Sequence, residues 1–424
     1  MRRVFKGSGR VGQIVVQGGG KRVFRASRVP VNTLFCQFGS IGRAMAFAMN
    51  STESMCDHPW IDPENDPADP SLLFAKAMVE LLQEGNCVDF SSGKPFVMDR
   101  DERFLSSKGS LLSFQTGGTS GKPSQVIHSL DNLFHAVKGL QEKIGPDPIS
   151  SVCCLPLHHL GGWMQVHRAM KTQGTVFFCS YHDLARDTFA SKLKGRWLSL
   201  VPTQLHKLIK SAQALENLRL ARGIFVGGSA ITTRLSALCR QEDLPVWPTY
   251  GMTETAGMVT LLSSDEFLQG REGVGQVLAH AKLSLTGQDG KIGVECQSLC
   301  VSKPPRQFHP GECLQTEDYG EVDDDGYWRI SGRADRIIVS GGENLDPEIA
   351  ERAIMETGLV DECVVVGIKN EEWGQLARAY LTPASVNLSE VRRLAKSLLP
   401  GAGYPKEWIA TDKLPLTEMG KTKS

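Results

Sequence analysis

The sequence predicts an α/β fold: a large N-terminal domain of helix-covered β-sheets with a small β-rich subdomain, then a small α+β C-terminal lid domain. Three observations predict it. Short apolar runs alternate with helical stretches from about residue 70 to residue 250, the pattern of a sheet covered by helices. More closely spaced strand candidates crowd Gly273 to Arg306, and the texture changes again after Arg333. At 424 residues the chain is long enough for one large domain and a smaller one. The expected divisions are an atypical leader over 1–55, an N-terminal domain over 56–334 and a lid over 335–424.

Taken in order, the first helix starts at Pro70, where Leu72, Leu73, Ala77, Met78, Leu81 and Leu82 recur at helical spacing. Leu111 to Phe114 reads as a strand emptying into the Gly-rich run Thr116-Gly117-Gly118-Thr119-Ser120-Gly121-Lys122-Pro123. Val152 to Leu155, Thr175 to Phe178, Ile224 to Val226 and Val246 follow as strands, with helices over Gln204 to Ser211 and Thr232 to Arg240 between them. The lid reads as a helix from Pro347, strands Cys363 to Ile368 and Leu376 to Leu381, and a helix Leu388 to Leu399.

Composition narrows the function. Forty-seven Lys and Arg balance 47 Asp and Glu, so nothing in the overall charge points to nucleic acid or an anionic membrane, and any anion site must be local. Eleven cysteines occur without a CxxC pair, which suits reduced thiols in a cytoplasmic protein better than a zinc cage or a disulfide framework. No apolar run is long enough to insert stably in a membrane. The first fifty residues contain no Asp or Glu but many Arg and Lys. Such a leader reads either as an organelle transit peptide, which would make the protein organellar, or as a mis-assigned start ahead of Met45, Met49 or Met55.

Four segments carry chemistry. The glycines of the run at 116–122 allow turns that aim successive N–H groups at a phosphate, while Thr116, Thr119 and Ser120 add hydroxyls. It is not a Walker A loop, because that alignment puts Thr116 where the first glycine belongs and Pro123 where the hydroxyl belongs. An ordinary surface turn has the same composition. Next, Thr253 and Glu254 set a hydroxyl beside a carboxylate just after Val246-Trp247, as a phosphate-bridging Mg²⁺ requires. Asp318 and Arg333, the third pair, suit a ribose and a phosphate, or else an ion pair in a hairpin. The fourth is Lys421 near the chain end.

In this order and at these separations, the four segments resemble the adenylate-forming superfamily of acyl-CoA synthetases, peptide-synthetase adenylation domains and luciferases. The resemblance runs from about Ser113 to Lys421 and takes in Val201-Pro202-Thr203, Gly227-Gly228-Ser229-Ala230 and Glu372-Trp373-Gly374-Gln375. It implies an ATP-dependent carboxylic acid:CoA ligase that uses ATP, Mg²⁺ and CoA and acts through an acyl-adenylate. The resemblance makes Thr116, Gly117, Gly118, Thr119, Ser120, Gly121 and Lys122 the phosphate loop, and puts Gly228, Ser229, Tyr250 and Gly251 around the nucleotide. Thr253 would touch the α-phosphate, Glu254 hold Mg²⁺, and Asp318 and Arg333 bind the ribose. Lys421 would be the catalytic lysine that stabilises charge gained at the α-phosphoryl group. Asp335 would be the hinge about which the lid turns between two half-reactions, presenting Gly341, Gly342 and Glu343 to the CoA thiol channel.

Two departures stand out: Glu317 sits where the superfamily usually has glycine, and Ser124 where the phosphate loop usually has lysine. A short region before the loop and a chain end three residues past Lys421 suggest a pared-down member. For the acid, Leu155 to Trp163 matches the Pro-x-x-His-x-x-Gly segment bordering the acyl pocket, so that His159 would face the acid and Gly161 and Gly162 leave room for it; alternatively His158 and His159 only pack at the rim. The form of the loop is similar to that of o-succinylbenzoate-CoA ligases of menaquinone and phylloquinone biosynthesis. Another aryl or fatty acid:CoA ligase, an adenylation enzyme loading a carrier protein, and a non-catalytic nucleotide-binding regulator are the rival readings. Small molecules are the expected partners, and self-association into a homo-oligomer is left open.

Overall fold

The computed structural model describes residues 59–83, 87–89, 110–116, 124–287, 290–340, 342–399 and 403–415, with backbone strands also at 13–16, 22–25 and 96–98. Apart from the two short strands, the basic leader lies outside the described residues. The helix Pro70–Gln83 forms where its apolar rhythm placed it and buries Leu72, Ala75, Met78 and Val79.

A six-stranded sheet contains the antiparallel hairpin β1 (Leu111–Thr116) and β2 (Ser124–Ser129), in which Thr116 pairs with Ser124. The Gly-rich run is therefore the tip of a β-hairpin rather than the strand-to-helix turn of a Walker A motif. Ser129 ends β2 and caps α1 (Leu130–Ile144) through a capping box with Asn132. The stripe Leu133, Ala136, Val137, Leu140 then recurs at helical spacing on the buried face. Gly139 on that stripe is dictated by close approach: a Cβ there would lie 1.9 Å from Nδ1 of His280.

The helix α2 (Leu160–Thr172) packs against α1 and is buried almost all round, polar Gln165, His167 and Arg168 included. Beneath it lies a seven-stranded sheet. Its parallel part contains β3 (Trp197–Leu200), β4 (Gly223–Val226) and β5 (Val246–Met252), and β6 (Gly257–Leu261) pairs antiparallel with β5. Trp197 of β3 stacks on Phe225 of β4 at 4.5 Å and meets Trp247 of β5 edge-on at 5.4 Å, locking three neighbouring strands together.

Two expectations change here. The helix expected over Gln204 to Ser211 starts earlier, at Pro202, whose fixed φ suits a first turn, and stops at Leu208. Ser211 instead caps a second helix, Ala212–Arg219, by accepting the Ala214 amide. The β-rich region also extends further than Gly273 to Arg306. Its four-stranded sheet runs through 281–286, 291–296, β7 (Cys313–Val322) and β8 (Trp328–Arg333), while 276–277 and 302–307 join the edges of the two larger sheets.

A 3₁₀ turn, Ala334–Arg336, leads from β8 into a five-stranded sheet covered by α3 (Pro347–Glu356) and the helix Leu388–Leu398. This C-terminal unit has its own core, built from Ala350, Ile354, Val365, Ala379, Leu381 and Val391 among others. No helix among the described residues is long and apolar enough to cross a membrane.

Candidate active site

The ends of β4 and β5 lie side by side at the C-terminal edge of the parallel sheet, where α/β sheets commonly bind ligands. Gly227 has no room for a side chain, since a Cβ would sit 2.3 Å from Oγ1 of Thr249. Gly228 follows with φ +86° and Ser229 is exposed, so the predicted nucleotide turn presents open backbone. Gly251 is equally constrained: a Cβ would meet the Gly257 carbonyl at 2.0 Å, and this keeps β5 tight against β6.

Tyr250, Asp318, Arg333 and Asp335 form one chain of bonds. The Tyr250 hydroxyl donates to Oδ2 of Asp318 at 2.6 Å, and Arg333 donates to Oδ1 of Asp318 at 2.6 Å. Its other edge donates to both carboxylate oxygens of Asp335, at 2.9 and 2.8 Å. Asp318 and Arg333 are direct cross-strand partners on β7 and β8, so the ion-pair alternative is realised while both groups stay at the site. Burial pulls the Arg333 guanidinium down, but bonding to Asp335 and the charges of Asp318 and Asp335 outweigh it and hold the group above its ordinary range. Burial and the neighbouring Asp318 push the Tyr250 hydroxyl up, so it stays protonated as a donor. The Glu317 departure is harmless to this chain, because strand alternation turns its side chain outward to Lys291, 2.7 Å away.

Thr253 and Glu254 occupy a one-turn 3₁₀ segment, Thr253–Thr255, directly after β5. The Glu254 carboxylate is nearly buried and accepts from Nζ of Lys303 at 2.7 Å. No group of three or more His, Cys, Asp or Glu among the described residues is arranged to hold a metal. A single fixed carboxylate nevertheless fits Mg²⁺ carried in by a nucleotide, because that ion keeps most of its water and phosphate ligands. The Thr116 hydroxyl is engaged at the hairpin base, 2.8 Å from Oγ of Ser124. Gly117, Gly118, Thr119, Ser120, Gly121, Lys122, Gly341 and Lys421 lie outside the described residues.

On the other side of the sheet edge, His159 is the N-cap residue of α2, with its ring 4.1 Å from that of His158. Gly161 is exposed and has room for a neighbouring group. Gly162 is a correction: a Cβ there would strike the Pro156 carbonyl at 2.2 Å, so this glycine serves the packing of α2 on the preceding loop rather than an open pocket. One turn further on, Arg168 is only 6% exposed. Its guanidinium lies over the Phe225 ring at 5.6 Å, its Nε has no hydrogen-bond partner, and no carboxylate among the described residues pairs with it. Burial alone draws it down to about 10, so it stays charged at neutral pH. His167 beside it is pushed down to about 3 by burial, then by Lys171 and Arg168.

Asp335 sits in the 3₁₀ turn between the two units, and the next cation, Arg336, reaches the other way to Glu348 and Glu351 of α3. Ion pairs Lys207–Glu362 at 3.2 Å and Lys210–Asp361 at 2.6 Å also join the units. Gly342, with φ +85°, and Glu343 are exposed at the tip of the hairpin 338–345.

Sequence reasoning missed Arg168 and Lys303. Lys303 lies 49 residues from its partner Glu254, with no local signal to join them. Arg168 had one faint signal, a cation inside the otherwise apolar-rich run Trp163 to Ala169, but an exposed helical face carries the same letters.

The AMP-binding enzyme family matches residues 71–304, more than half of the chain, and the AMP-binding enzyme C-terminal domain matches residues 350–421. A 2-succinylbenzoate–CoA ligase of Listeria monocytogenes is 27% identical over 316 residues, covering 72% of this chain and 67% of that protein. One from Bacillus cytotoxicus is 29% identical over 311 residues, covering 68% and 64%. Among solved structures, the o-succinylbenzoate CoA synthetase MenE of Bacillus subtilis in complex with the acyl-adenylate intermediate OSB-AMP superposes with a TM-score of 0.63 at 25% identity, covering 74% of this chain and 67% of that one. The same enzyme with ATP and magnesium ion gives 0.62 at 25% identity, covering 74% and 68%. The chain thus spans about two thirds of the length of these relatives. With both parts matched in order along one chain, this protein belongs to the AMP-binding enzyme family.

Proposed function

We propose that this protein is an ATP-dependent ligase that joins o-succinylbenzoate to CoA through an acyl-adenylate, and that it works in the cytoplasm on dissolved substrates of menaquinone or phylloquinone biosynthesis. The observation that carries the choice of acid is Arg168, a buried cation lacking a carboxylate partner on the side of the sheet edge where His159 stands. An unpaired buried charge is costly, and a ligand carboxylate would offset that cost. A substrate with two carboxylates satisfies both demands: one reacts and the other pairs with Arg168. A fatty acid or a simple aryl acid would leave the cation unmatched. The ligase relatives and the adenylate-bound neighbour support the same acid.

In the first half-reaction a carboxylate oxygen of the acid attacks the α-phosphorus of ATP, and the bond to pyrophosphate breaks. Thr253 would donate to the α-phosphoryl oxygens and Lys421 would meet the charge that grows there, a contribution largest in the transition state. Asp318 would accept from the ribose hydroxyls, held in place by Tyr250 and Arg333. Glu254 would hold Mg²⁺, which supplies charge neutralisation at the leaving phosphates. In the second half-reaction the CoA sulfur attacks the acyl carbon and AMP leaves; turning about Asp335 would withdraw Lys421 and bring Gly341, Gly342 and Glu343 to the thiol path.

The test is pyrophosphate release with ATP, Mg²⁺ and o-succinylbenzoate, with and without CoA, in wild type and Lys421→Ala. Acid-dependent release that yields a CoA thioester and is lost in the variant supports the reading. Release with other acids but not this one keeps the ligase and discards the acid. Release without thioester formation favours loading of a carrier protein, and no release with any acid discards catalysis.

A further inference from the structure

The turn that carries Thr253 and Glu254 is held by its backbone from two directions. Three consecutive carbonyls each accept a bond from another part of the chain: Thr253 from Nε2 of His128 at 2.7 Å, Glu254 from the Cys300 amide at 2.7 Å, and Thr255 from the Ser298 hydroxyl at 2.7 Å. Such holding is needed because the turn is a single 3₁₀ turn that exits through two residues of positive φ, Ala256 at +56° and Gly257 at +100°, and so has little regular structure of its own.

Two of the three holds come from one segment, 298–300, which also leads to Lys303 and its bond to the Glu254 carboxylate. They would move together with the carboxylate. His128 comes from elsewhere: it lies on β2, the strand leaving the Gly-rich hairpin tip, 125 residues away in sequence from Thr253. Its ring is fully buried, stands edge-on to Phe114 of β1 at 6.4 Å, and bonds through Nε2, while Nδ1 has no partner. A ring bonded at one nitrogen to a carbonyl is the Nε2–H tautomer and acts as a fixed donor. A leucine would fill this strand position at no polar cost, so a histidine with one orphaned nitrogen needs a reason beyond packing.

We infer that His128 is a positioning residue that ties the Thr253–Glu254 turn to the hairpin carrying the Gly-rich tip, fixing the distance between the two parts that would grip the ATP phosphates. No proton transfer is asked of it. The kinetic part of this inference rests on the roles proposed for Thr253 and Glu254; the structural part does not.

The experiment compares full-length wild type with His128→Leu, which keeps the bulk and removes the donor, and His128→Gln, which restores a donor of similar reach. Hydrogen–deuterium exchange of the 253–257 amides, without nucleotide, reads the tether directly. Leu should speed exchange there about tenfold and Gln should leave it close to wild type. In acid-dependent ATP–pyrophosphate exchange, Leu should lower kcat roughly tenfold to a hundredfold and raise the KM for MgATP, with the KM for the acid unchanged within about twofold, as expected when a positioned group shifts by a fraction of an ångström. Gln should recover most of that loss despite giving up the ring packing on Phe114. Unchanged exchange in Leu, or a Gln variant as impaired as Leu in either readout, overturns the tether. Glu254→Gln as active as wild type would instead overturn the role of the turn in catalysis, while the exchange result would still decide the tether.

Discussion

The two sides of the sheet edge are built on opposite principles. On the nucleotide side every charged group described has a partner within the protein: Asp318 takes bonds from Tyr250 and Arg333, Arg333 also grips Asp335, and Glu254 holds Lys303. On the acid side, α2 carries Arg168 without a counter-ion, a Gln165 carbonyl without a donor and a His167 nitrogen without a partner, all in the interior. A satisfied network is rigid before ligand arrives and exchanges partners when it binds. An unsatisfied one is selective, because only a ligand of the right charge repairs it. The difference teaches that affinity for a common nucleotide and choice of a particular acid are placed in separate regions, with different electrostatics.

Arg168 offers the sharpest way to break this comparison. Arg168→Met should lower kcat/KM for o-succinylbenzoate by roughly 10²–10³-fold, the equivalent of about 3–5 kcal/mol for losing a buried charged pair. The melting temperature should hold or rise, since the variant removes an unpaired buried charge. Steady-state kinetics with the acid and with an analogue lacking the second carboxylate, beside a thermal melt, check both halves. Equal losses for the two acids would mean that the arginine merely shapes α2.

Glu254→Gln should have the next largest effect, roughly tenfold to a hundredfold on pyrophosphate release, because a neutral amide binds Mg²⁺ weakly and leaves Lys303 without its partner. Titrating Mg²⁺ in that assay should show a higher half-maximal concentration. A loss that extra Mg²⁺ does not touch would count against metal binding by this carboxylate.

How much of this was legible in advance follows the same division. The nucleotide side could be read because its signals are local: a glycine run, a hydroxyl beside a carboxylate, an aspartate in a short strand. The acid side could not, since the meaning of Arg168 depends on α2 being covered on both faces, a property of tertiary packing that the alternation of letters does not encode. Lys303 and His128 escaped for a related reason, as each acts on the 253–255 turn from a distant strand. Gly162 was misread because a tight backbone contact and an open pocket both call for glycine.

Acid tests the interior of the two sides by their protons. Burial first, then Lys171 and Arg168, push His167 down to about 3, and burial with His135 pushes His280 down to about 4. Their unfolded values lie near 6.5, so below that pH the unfolded chain binds more protons than the folded one, and stability must fall. Their stabilisation is complete above about pH 6.5 and is lost progressively toward pH 4 and then 3, by ~1.4 kcal/mol for each tenfold difference in proton affinity. Urea melts between pH 7 and 4 should become shallower in slope against pH for His167→Leu. Saturating o-succinylbenzoate should blunt the slope as well, because a carboxylate paired with Arg168 cancels part of the charge that depresses His167; a slope indifferent to the acid would separate the two residues.

The smallest effect belongs to the most crowded network. Tyr250→Phe removes one donor from Asp318, yet Arg333 still holds the other oxygen and keeps the carboxylate in place. The expected loss is about 1.5 kcal/mol of stability, the lower end for a hydrogen bond to a charged group, with a rise of only a few fold in the KM for ATP. Arg333→Met should cost more in both, because it frees Asp318 and Asp335 together. Measuring the double variant closes the cycle: a combined loss smaller than the sum means that the two donors hold the same oxygens for the same end, as expected of a pre-satisfied site, whereas strict additivity would show Tyr250 acting on the nucleotide by itself.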